Sequence, residues 1–264
     1  MKLTFRIEYR TAWGESIGVM LQGQENSPIM LGTSDGIVWE GSEEMTDAPA
    51  GVPLTYRYGV FLDGQCSRRE SGTMAHIFCP SKKQKSHYIL NDTWKDLPMA
   101  SHLYSAAFSG NYSLENAPKD QCTGQGDIVF RALCPCLHHR KQILGICGRE
   151  EQLGYWNPDR AICMEEIQAN EWVATLPIKD LKFPLEFKFV AINASTGKVE
   201  EWEMGNNRHL HINDLRKGEI FCTNEMEVQF GSMSRKVAGT AIPVFSLRSE
   251  GSFGVGDFGD LKKL

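Results

Sequence analysis

Phe183-Pro-Leu-Glu-Phe-Lys-Phe-Val-Ala191 alternates apolar and polar side chains, and the chain contains an earlier copy of it, Val52-Pro-Leu-Thr-Tyr-Arg-Tyr-Gly-Val60. Alternation with a period of two is typical of a β-strand that buries one face. Trp39 precedes the earlier copy by about the interval at which Trp172 precedes the later one. A repeat this long indicates two duplicated domains and not a solenoid of short units.

Most of the remaining chain is also typical of short strands separated by turns. Leu3, Phe5, Ile7 and Tyr9 alternate with polar residues, and segments rich in Gly, Pro, Asn and Asp lie between such runs. No segment before the C-terminal tail has the long, capped apolar stripe of an amphipathic helix. We therefore predict an all-β fold of two immunoglobulin-like β-sandwiches in tandem.

The sequence also predicts where the domains begin and end. The two sandwiches are expected at residues 1–92 and 127–212. Loop-forming residues dominate 93–126 and 213–236, which we predict to be connectors. Residues 237–264 contain an apolar strand pattern without a partner, so we expect them to begin a third domain.

Composition limits the kinds of partner. The 264 residues carry a formal net charge of −5 and have a pI near 5.8, so neither nucleic acid nor an anionic membrane is expected as a partner. No apolar run approaches the roughly 20 residues that cross a bilayer, and the N-terminus lacks the apolar core of a signal peptide. We expect a cytoplasmic protein with an uncharged ligand, and these features do not predict an oligomeric state.

The eight cysteines are scattered along the chain. Cys134 and Cys136, with His138 and His139 nearby, form the one close group, and no second pair at metal-ligand spacing follows. We predict reduced, mostly buried thiols, and neither a metal nor another cofactor.

Two tryptophans are the candidate ligand-binding residues. Trp156 and Trp202 are each surrounded by turn formers and do not lie on an alternating strand face. An indole outside the core can stack on the apolar C–H face of a pyranose ring, while polar side chains bind the hydroxyls at the ring's edge. Two indoles at an angle suit the curvature of an α-1,4-glucan. The predicted edge groups are Lys188, Glu203 and Asn207.

Residues 127–212 resemble the family 20 carbohydrate-binding module, the starch-binding domain, in four motifs: Leu153-Gly-x-Trp156, the strand-opening Trp172, Phe187-Lys-Phe189 and Trp202-Glu-x-Gly-x-Asn-Arg208. The resemblance implies a main starch site formed by Trp156, Lys188, Trp202, Glu203 and Asn207. It also matches Trp172 to a tryptophan of a second glucan site. The position of Trp172 at the start of an alternating strand favours a core residue instead.

The first repeat departs from this pattern. Arg69 stands in place of Trp202, and Met74 stands in place of Asn207. The whole Leu-Gly-x-Trp segment has no counterpart, because the corresponding interval is shorter. Since both aromatic plates are missing, we predict that residues 1–92 form a degenerate starch-binding sandwich with weak or no glucan affinity.

Charged residues near these motifs invite a catalytic interpretation. Glu200, Glu201 and Glu203 are close in sequence, but the two acids of a glycosidase must be held about 5–9 Å apart with one pKa raised by burial. We interpret the run as a solvated face. The gapless alignment of the repeats places His76 on His209, which predicts a shared fold contact and not a catalytic histidine.

The tail carries a second resemblance. Gly239-Thr-Ala-Ile-Pro-Val-Phe-Ser-Leu-Arg248 and the Gly-rich run after it are similar to the opening of a glycoside hydrolase family 77 barrel. Tandem starch-binding modules before such a barrel resemble the disproportionating-enzyme-2 group of 4-α-glucanotransferases. That group implies transfer of α-1,4-glucan segments to acceptor glucans with retention. Ser252 and Asp257 would line a barrel subsite, and the catalytic acids would lie beyond Leu264, so this chain alone is expected to be inactive.

The expected partners are starch, glycogen and maltodextrin. An alternative is a non-catalytic starch- or glycogen-binding or targeting protein. The two hypotheses differ in residues 237–264, which would begin a barrel in the first and form an extra sandwich strand in the second.

Overall fold

The computed structural model of the chain describes most of both predicted sandwiches. It covers residues 1–45, 53–70, 75–80, 87–95, 127–135, 137, 141–168, 170–179, 181–212, 215 and 218–232. The predicted barrel segment 237–264, with Ser252 and Asp257, lies outside the described residues, as do Met74 and Cys136.

Among the described residues the first sandwich has nine strands: β1 (Lys2–Glu8), β2 (Glu15–Leu21), β3 (Ile29–Met30), β4 (Gly32–Thr33), β5 (Val38–Glu44), β6 (Leu54–Leu62), β7 (Gln65–Arg69), β8 (His76–Phe78) and β9 (His87–Thr93). One layer has the order β9-β1-β5-β4. The other has the order β3-β2-β6-β7, with β8 also paired to β6. Fully buried side chains fill the space between the layers, among them Phe5, Val19 and Tyr58.

The described part of the second sandwich also has nine strands: β10 (Asp127–Leu133), β11 (Gln142–Gly148), β12 (Ile162–Cys163), β13 (Glu165–Gln168), β14 (Glu171–Pro177), β15 (Leu185–Asn193), β16 (Val199–Trp202), β17 (Arg208–Leu210) and β18 (Glu219–Glu227). Two short 3₁₀ helices, Glu151–Trp156 and Pro158–Arg160, lie between β11 and β12. No helix in the described residues has the length and apolar character needed to cross a membrane.

The two sandwiches repeat each other strand for strand. β1 to β9 correspond in order to β10 to β18, and each strand has the equivalent neighbours within its own sandwich. Trp39 lies opposite Ile7 in the first, as Trp172 lies opposite Ala132 in the second. The predicted all-β fold of two sandwiches is confirmed.

β18 joins the sandwiches into one sheet. It pairs in parallel with β10 on one side and with β9 on the other, so two layers merge into an eight-stranded sheet of described strands. Ile220 and Cys222 belong to the first core, whereas Phe221 belongs to the second. Because successive side chains of a strand point to opposite faces, the two remaining layers cover opposite faces of the shared sheet.

This strand corrects the predicted boundary. The sequence places a connector at 213–236, but Glu219–Glu227 is the ninth strand of the second sandwich. Residues 220–223 are all buried, since each face of the strand meets one of the two cores. A strand buried on both faces lacks the apolar–polar alternation that identifies a half-buried one, so its pattern is weak in the sequence.

Candidate functional site

Trp156 and Trp202 lie side by side on the second sandwich. Their ring centroids are 6.2 Å apart, and the ring planes are inclined at 42°. Both residues are half-buried, so part of each ring remains accessible. The inclined pair presents two aromatic surfaces at an angle, which suits a curved chain of pyranose rings better than a flat one.

A strained turn presents Trp156. Gly154, Tyr155 and Trp156 all have left-handed backbone conformations, with φ of 82°, 53° and 59°. Such a conformation costs a non-glycine residue about 1–3 kcal/mol and persists where the surrounding structure enforces it, often at a functional site. The preceding Leu153 is fully buried and anchors the turn. The Leu-Gly-x-Trp motif therefore combines a buried anchor, a permissive glycine and a presented indole.

We expect Gly154→Ala to lower the free energy of unfolding by about 1–2 kcal/mol and to weaken glucan binding by displacing Trp156. A Cβ at position 154 would lie 2.7 Å from the carbonyl oxygen of Arg160. Gly197→Ala is the matched control, because Gly197 has a φ of 68° but nothing within 4 Å of the added carbon. Urea unfolding and maltoheptaose titration would compare the two. Equal destabilisation with unchanged binding would show that the contact with Arg160 does not hold the turn.

Packing fixes the orientation of Trp202. The residue ends β16 and pairs with Val190 of β15. Its side chain packs against a small buried cluster of Cys147, Val190 and Ile192. The indole therefore rests on the outer side of the β11–β15–β16 layer and not in the core between the layers.

Two of the three N–H groups of the Lys188 ammonium already donate hydrogen bonds within the protein. Its Nζ donates hydrogen bonds to the carbonyl oxygens of Glu203 at 3.1 Å and Gly205 at 2.6 Å. An ammonium group has three N–H donors, so one remains for a ligand. The two bonds fix both the ammonium group and the turn that follows Trp202.

Glu203 has a different role from the predicted one. Its side chain is 2% exposed, and its carboxylate accepts hydrogen bonds from the backbone N–H of Phe189 at 2.9 Å and from Arg208. The carboxylate is therefore turned away from solvent and committed to protein donors. We assign Glu203 to the support of β15 and the turn, and not to the edge of a sugar or to a solvated acidic face.

The first sandwich contains the same support. Glu70 corresponds to Glu203, and the backbone N–H of Tyr58 donates to it at 2.8 Å as that of Phe189 does to Glu203. Neither indole has a counterpart in the first sandwich, so the contact exists there without an aromatic platform. A contact that both sandwiches share belongs to the fold.

Asn207 lies between β16 and β17, five residues after Trp202 in the sequence. Its Nδ2 donates a hydrogen bond of 2.7 Å to Oε1 of Glu186. The other oxygen of Glu186 binds Arg149. Neither Glu186 nor Arg149 was predictable as a site residue, because nothing in the sequence spacing shows that β11, β15 and the turn between β16 and β17 meet there.

Trp172 is a core residue and not part of a second glucan site. It is 3% exposed, and its indole N–H donates to the carbonyl oxygen of Cys134 at 3.3 Å. Its equivalent Trp39 is 5% exposed. A ring enclosed on both faces has no surface to stack on a sugar. The core position predicted from the start of an alternating strand is therefore the correct one, and not the second glucan site implied by the resemblance.

The gapless alignment of the two repeats is wrong by one residue at its end. The strand pairings align His76 with Arg208, and His209 is exposed. His76 Nε2 is 2.9 Å from Glu70, as an Arg208 nitrogen is 2.8 Å from Glu203. Five residues separate Glu70 from His76 and four separate Glu203 from Arg208, a difference that a gapless alignment does not accommodate.

A buried group of charges, which the sequence did not predict, lies between the sandwiches. We call it the interface charge cluster; its members are Glu70, His76, Asp92 and Lys95 of the first sandwich and Arg131 and Glu225 of the second. Among the described residues, three ion pairs cross the interface: Arg131–Asp92 at 2.6 Å, His76–Glu225 at 2.8 Å and Lys95–Glu225 at 3.1 Å. The cluster contains three basic and three acidic side chains and so balances its own charge.

A β-bulge directs Glu225 into this cluster. The register between β10 and β18 shifts between Val129 and Arg131. Cys222 faces the first core, and strict alternation would turn Glu225 to the opposite face. The backbone N–H of Arg131 donates to the hydroxyl of Thr223 at 3.0 Å within the bulge.

The cluster has the spacing of a metal site but not the donors of one. His76, Asp92 and Glu225 bring potential ligand atoms within 4.8 Å of one another. Nδ1 of His76 is 2.8 Å from Glu225 and Nε2 is 2.9 Å from Glu70, so both ring nitrogens act as donors and neither offers a lone pair. Two further cations already neutralise the acids. We interpret these residues as an ion-pair network.

The fold and the aromatic pair define a class of protein. Two inclined indoles on a β-sandwich, with an ammonium group and a carboxamide among the residues of the same layer and its turn, are the chemical groups that carbohydrate-binding modules use. The family model of the starch-binding domain matches residues 127–220 of the chain. The match contains all five residues of the predicted main site and extends to the start of β18. The resemblance predicted from four motifs is thus confirmed.

A second similarity covers almost all of this chain, including both sandwiches. The 4-alpha-glucanotransferase DPE2 of Oryza sativa subsp. japonica is 27% identical to this chain over 288 residues. The alignment covers 99% of this chain and 29% of the rice protein, so the chain spans less than a third of that relative's length.

Two solved structures overlap the chain weakly. A glycoside hydrolase family 15 glucoamylase from Hypocrea jecorina has a TM-score of 0.34 and 17% identity, over 40% of this chain and 17% of its own. The family 20 module of a maltotetraose-forming amylase from Pseudomonas saccharophila STB07 has a TM-score of 0.28 and 19% identity, over 36% of this chain and 98% of its own. The family assignment of residues 127–220 rests on the sequence match and not on these overlaps.

Proposed function

We propose that this chain binds α-1,4-glucans such as starch, glycogen or maltodextrin at the Trp156–Trp202 pair. The observation that carries the proposal is the inclination of the two half-buried rings, whose centroids are 6.2 Å apart. Both rings belong to residues 127–220, which the starch-binding family model matches. Stacking supplies an apolar surface for the pyranose faces. The free N–H of Lys188 and the carboxamide of Asn207 supply hydrogen bonds for the hydroxyls.

The first sandwich is proposed not to bind glucans in this way. The strand pairings align Arg69 with Trp202, so a guanidinium replaces one indole. The β2–β3 loop, residues 22–28, contains no aromatic residue and has no equivalent of Trp156. Loss of both aromatic surfaces removes the main source of affinity.

The chain is further proposed to be the glucan-binding portion of a cytoplasmic 4-α-glucanotransferase. The similarity to the rice enzyme over 99% of this chain supports this assignment. A binding module attached to a catalytic domain raises the local concentration of the glucan at that domain. The catalytic acids are proposed to lie outside these 264 residues, so we expect the chain alone to show no transferase activity towards maltose or maltodextrin.

We expect Trp202→Ala to weaken the binding of maltoheptaose or β-cyclodextrin by about 1–3 kcal/mol, because one of the two stacking surfaces is removed. The measurement is isothermal titration calorimetry of the full chain. Arg69→Ala is the matched control, because Arg69 has the same strand position in the first sandwich and is exposed. Unchanged affinity in Trp202→Ala, or an equal loss in Arg69→Ala, would refute the assignment of the site.

A further inference from the structure

Glu186 organises the polar edge of the aromatic platform. Its Oε1 accepts the 2.7 Å hydrogen bond from Nδ2 of Asn207, and its Oε2 binds the guanidinium of Arg149. The side chain of Glu186 is 13% exposed, whereas that of Arg149 is 64% exposed. The carboxylate is therefore held at the protein surface between one neutral donor and one cation.

This contact determines which end of the Asn207 carboxamide faces outward. A carboxamide has a donor end, Nδ2, and an acceptor end, Oδ1, whereas an ionised carboxylate only accepts. The reverse orientation would place Oδ1 against the carboxylate of Glu186, with two acceptors in contact and no hydrogen between them. Oδ1 of Asn207 therefore lies on the side away from Glu186, where it accepts a hydrogen bond and does not donate one.

The first sandwich provides an internal comparison. The strand pairings align Glu186 with Thr55 and Arg149 with Gln22. The backbone hydrogen bond is kept in both, since the N–H of Gln22 donates to the carbonyl of Thr55 at 2.9 Å and that of Arg149 to Glu186 at 2.9 Å. The carboxylate itself occurs only in the sandwich that has the indoles. The fold-supporting Glu203, by contrast, has an equivalent carboxylate in both.

We propose that Glu186 is a positioning residue, which fixes Asn207 so that its Oδ1 accepts a hydrogen bond from a hydroxyl of an α-1,4-glucan. This inference rests on the proposed function of the Trp156–Trp202 pair. Arg149 balances the charge of Glu186 through an ion pair to its Oε2, the oxygen that does not contact Asn207. The site then distinguishes a glucan hydroxyl, which donates, from an acceptor group at the same place.

The first test is a double-mutant cycle in the full chain, with maltoheptaose as the probe. Glu186→Ala and Asn207→Ala are each expected to raise the Kd about 3- to 10-fold, the effect of one hydrogen bond. The double variant should bind no more weakly than Asn207→Ala, because Glu186 acts through Asn207. Wild-type affinity in Glu186→Ala, or losses that multiply in the double variant, would overturn the proposal.

The second test reverses the donor and the acceptor. Asn207→Asp alone should weaken binding at pH 7, because two carboxylates then face each other. Adding Glu186→Gln restores a hydrogen bond between positions 186 and 207 and leaves an acceptor oxygen towards the glucan. Recovery of the Kd to within about 3-fold of the wild type is expected, since one hydrogen bond is restored. A pair that binds no better than Asn207→Asp would overturn the proposal.

Controls separate this inference from the function on which it rests. Thr55→Ala changes the equivalent position of the first sandwich and should leave the Kd unchanged. Thermal unfolding of each variant distinguishes a local effect from loss of the fold. If the wild type binds no maltoheptaose, the proposed function fails. If the wild type binds and Trp202→Ala loses affinity while Glu186→Ala does not, only the positioning role fails.

Discussion

We expect Arg131→Met to lower the free energy of unfolding of the chain by about 3–5 kcal/mol. Arg131 is 3% exposed; its guanidinium binds Asp92 at 2.6 Å and lies 3.7 Å from Glu225. Methionine fills part of the same space without charge, so the interface charge cluster keeps its three acids and loses one of its three bases. Removing one partner of a buried ion pair is costly because the remaining charge stays desolvated.

Urea unfolding of the full chain would measure this loss. Arg6→Met is the matched control, because Arg6 has the corresponding position in β1 and is exposed, and its effect should stay within about 0.5 kcal/mol. Adding Asp92→Asn to Arg131→Met should recover part of the loss, because it removes the negative charge that the lost guanidinium balanced. A loss below about 1 kcal/mol for Arg131→Met would show that the cluster does not stabilise the interface.

The pairing of β9 with β18 gives the first sandwich a structural function that does not depend on sugar binding. β9 covers the edge of β18 that β10 leaves open, and Ile220 and Cys222 of β18 complete the first core. An exposed strand edge is a site for unwanted pairing with other chains. A sandwich that lacks both aromatic surfaces thus still completes the fold of its neighbour.

The aromatic pair was predictable from the sequence because its motifs are local. Trp156 and Trp202 each lie among turn formers, which predicts an indole outside the core before any contact is known. Trp202 is nevertheless the last residue of β16, which the sequence did not predict. The internal repeat added a second signal, since Arg69 in place of Trp202 marks the first sandwich as degenerate. Both signals need only neighbouring residues or one alignment.

The role of Glu203 was harder to predict because it depends on a contact across strands. Its partner is the backbone N–H of Phe189, and a backbone donor has no sequence signature. The internal repeat indicates this role. The first sandwich keeps an acid, Glu70, at the position of Glu203, although Arg69 replaces Trp202. An acid that is kept after the aromatic platform is lost is better interpreted as part of the fold than as part of the site.

The interface charge cluster could not be read from the sequence. His76 and Glu225 are 149 residues apart, and they meet only because β9 and β18 pair in parallel. The β-bulge that turns Glu225 towards the first sandwich has no residue type that marks it in advance. Arg131 lies in a strand of the second sandwich whose apolar neighbours predict one buried face, and only the docking of the first sandwich buries the other.

We expect the free energy of unfolding to fall by about 3 kcal/mol between pH 6.5 and pH 9, because His76 loses its proton. Burial acts to lower the pKa of His76, but the charges of Glu225 and Asp92 and hydrogen bonds to Glu225 and Glu70 raise it from 6.5 to about 9. The folded state therefore holds this proton more tightly than the unfolded state. The stabilisation is complete below pH 6.5 and is lost as the pH rises through 9.

Urea unfolding at a series of pH values from 6 to 9.5 would test this dependence. Burial raises the pKa of Glu171 to about 7 and that of Cys79 from 9 to about 11. Cys79 therefore lowers the stability only from its unfolded pKa near 9 upwards, so the fall from about pH 7.5 to about pH 8.5 belongs mainly to His76. His76→Gln should flatten that fall, whereas His209→Gln, at an exposed position, should leave it intact. NMR titration of the His76 ring in the wild type gives an independent value. A ring that titrates near pH 6.5 would contradict the doubly paired imidazole and, with it, the charge balance of the interface.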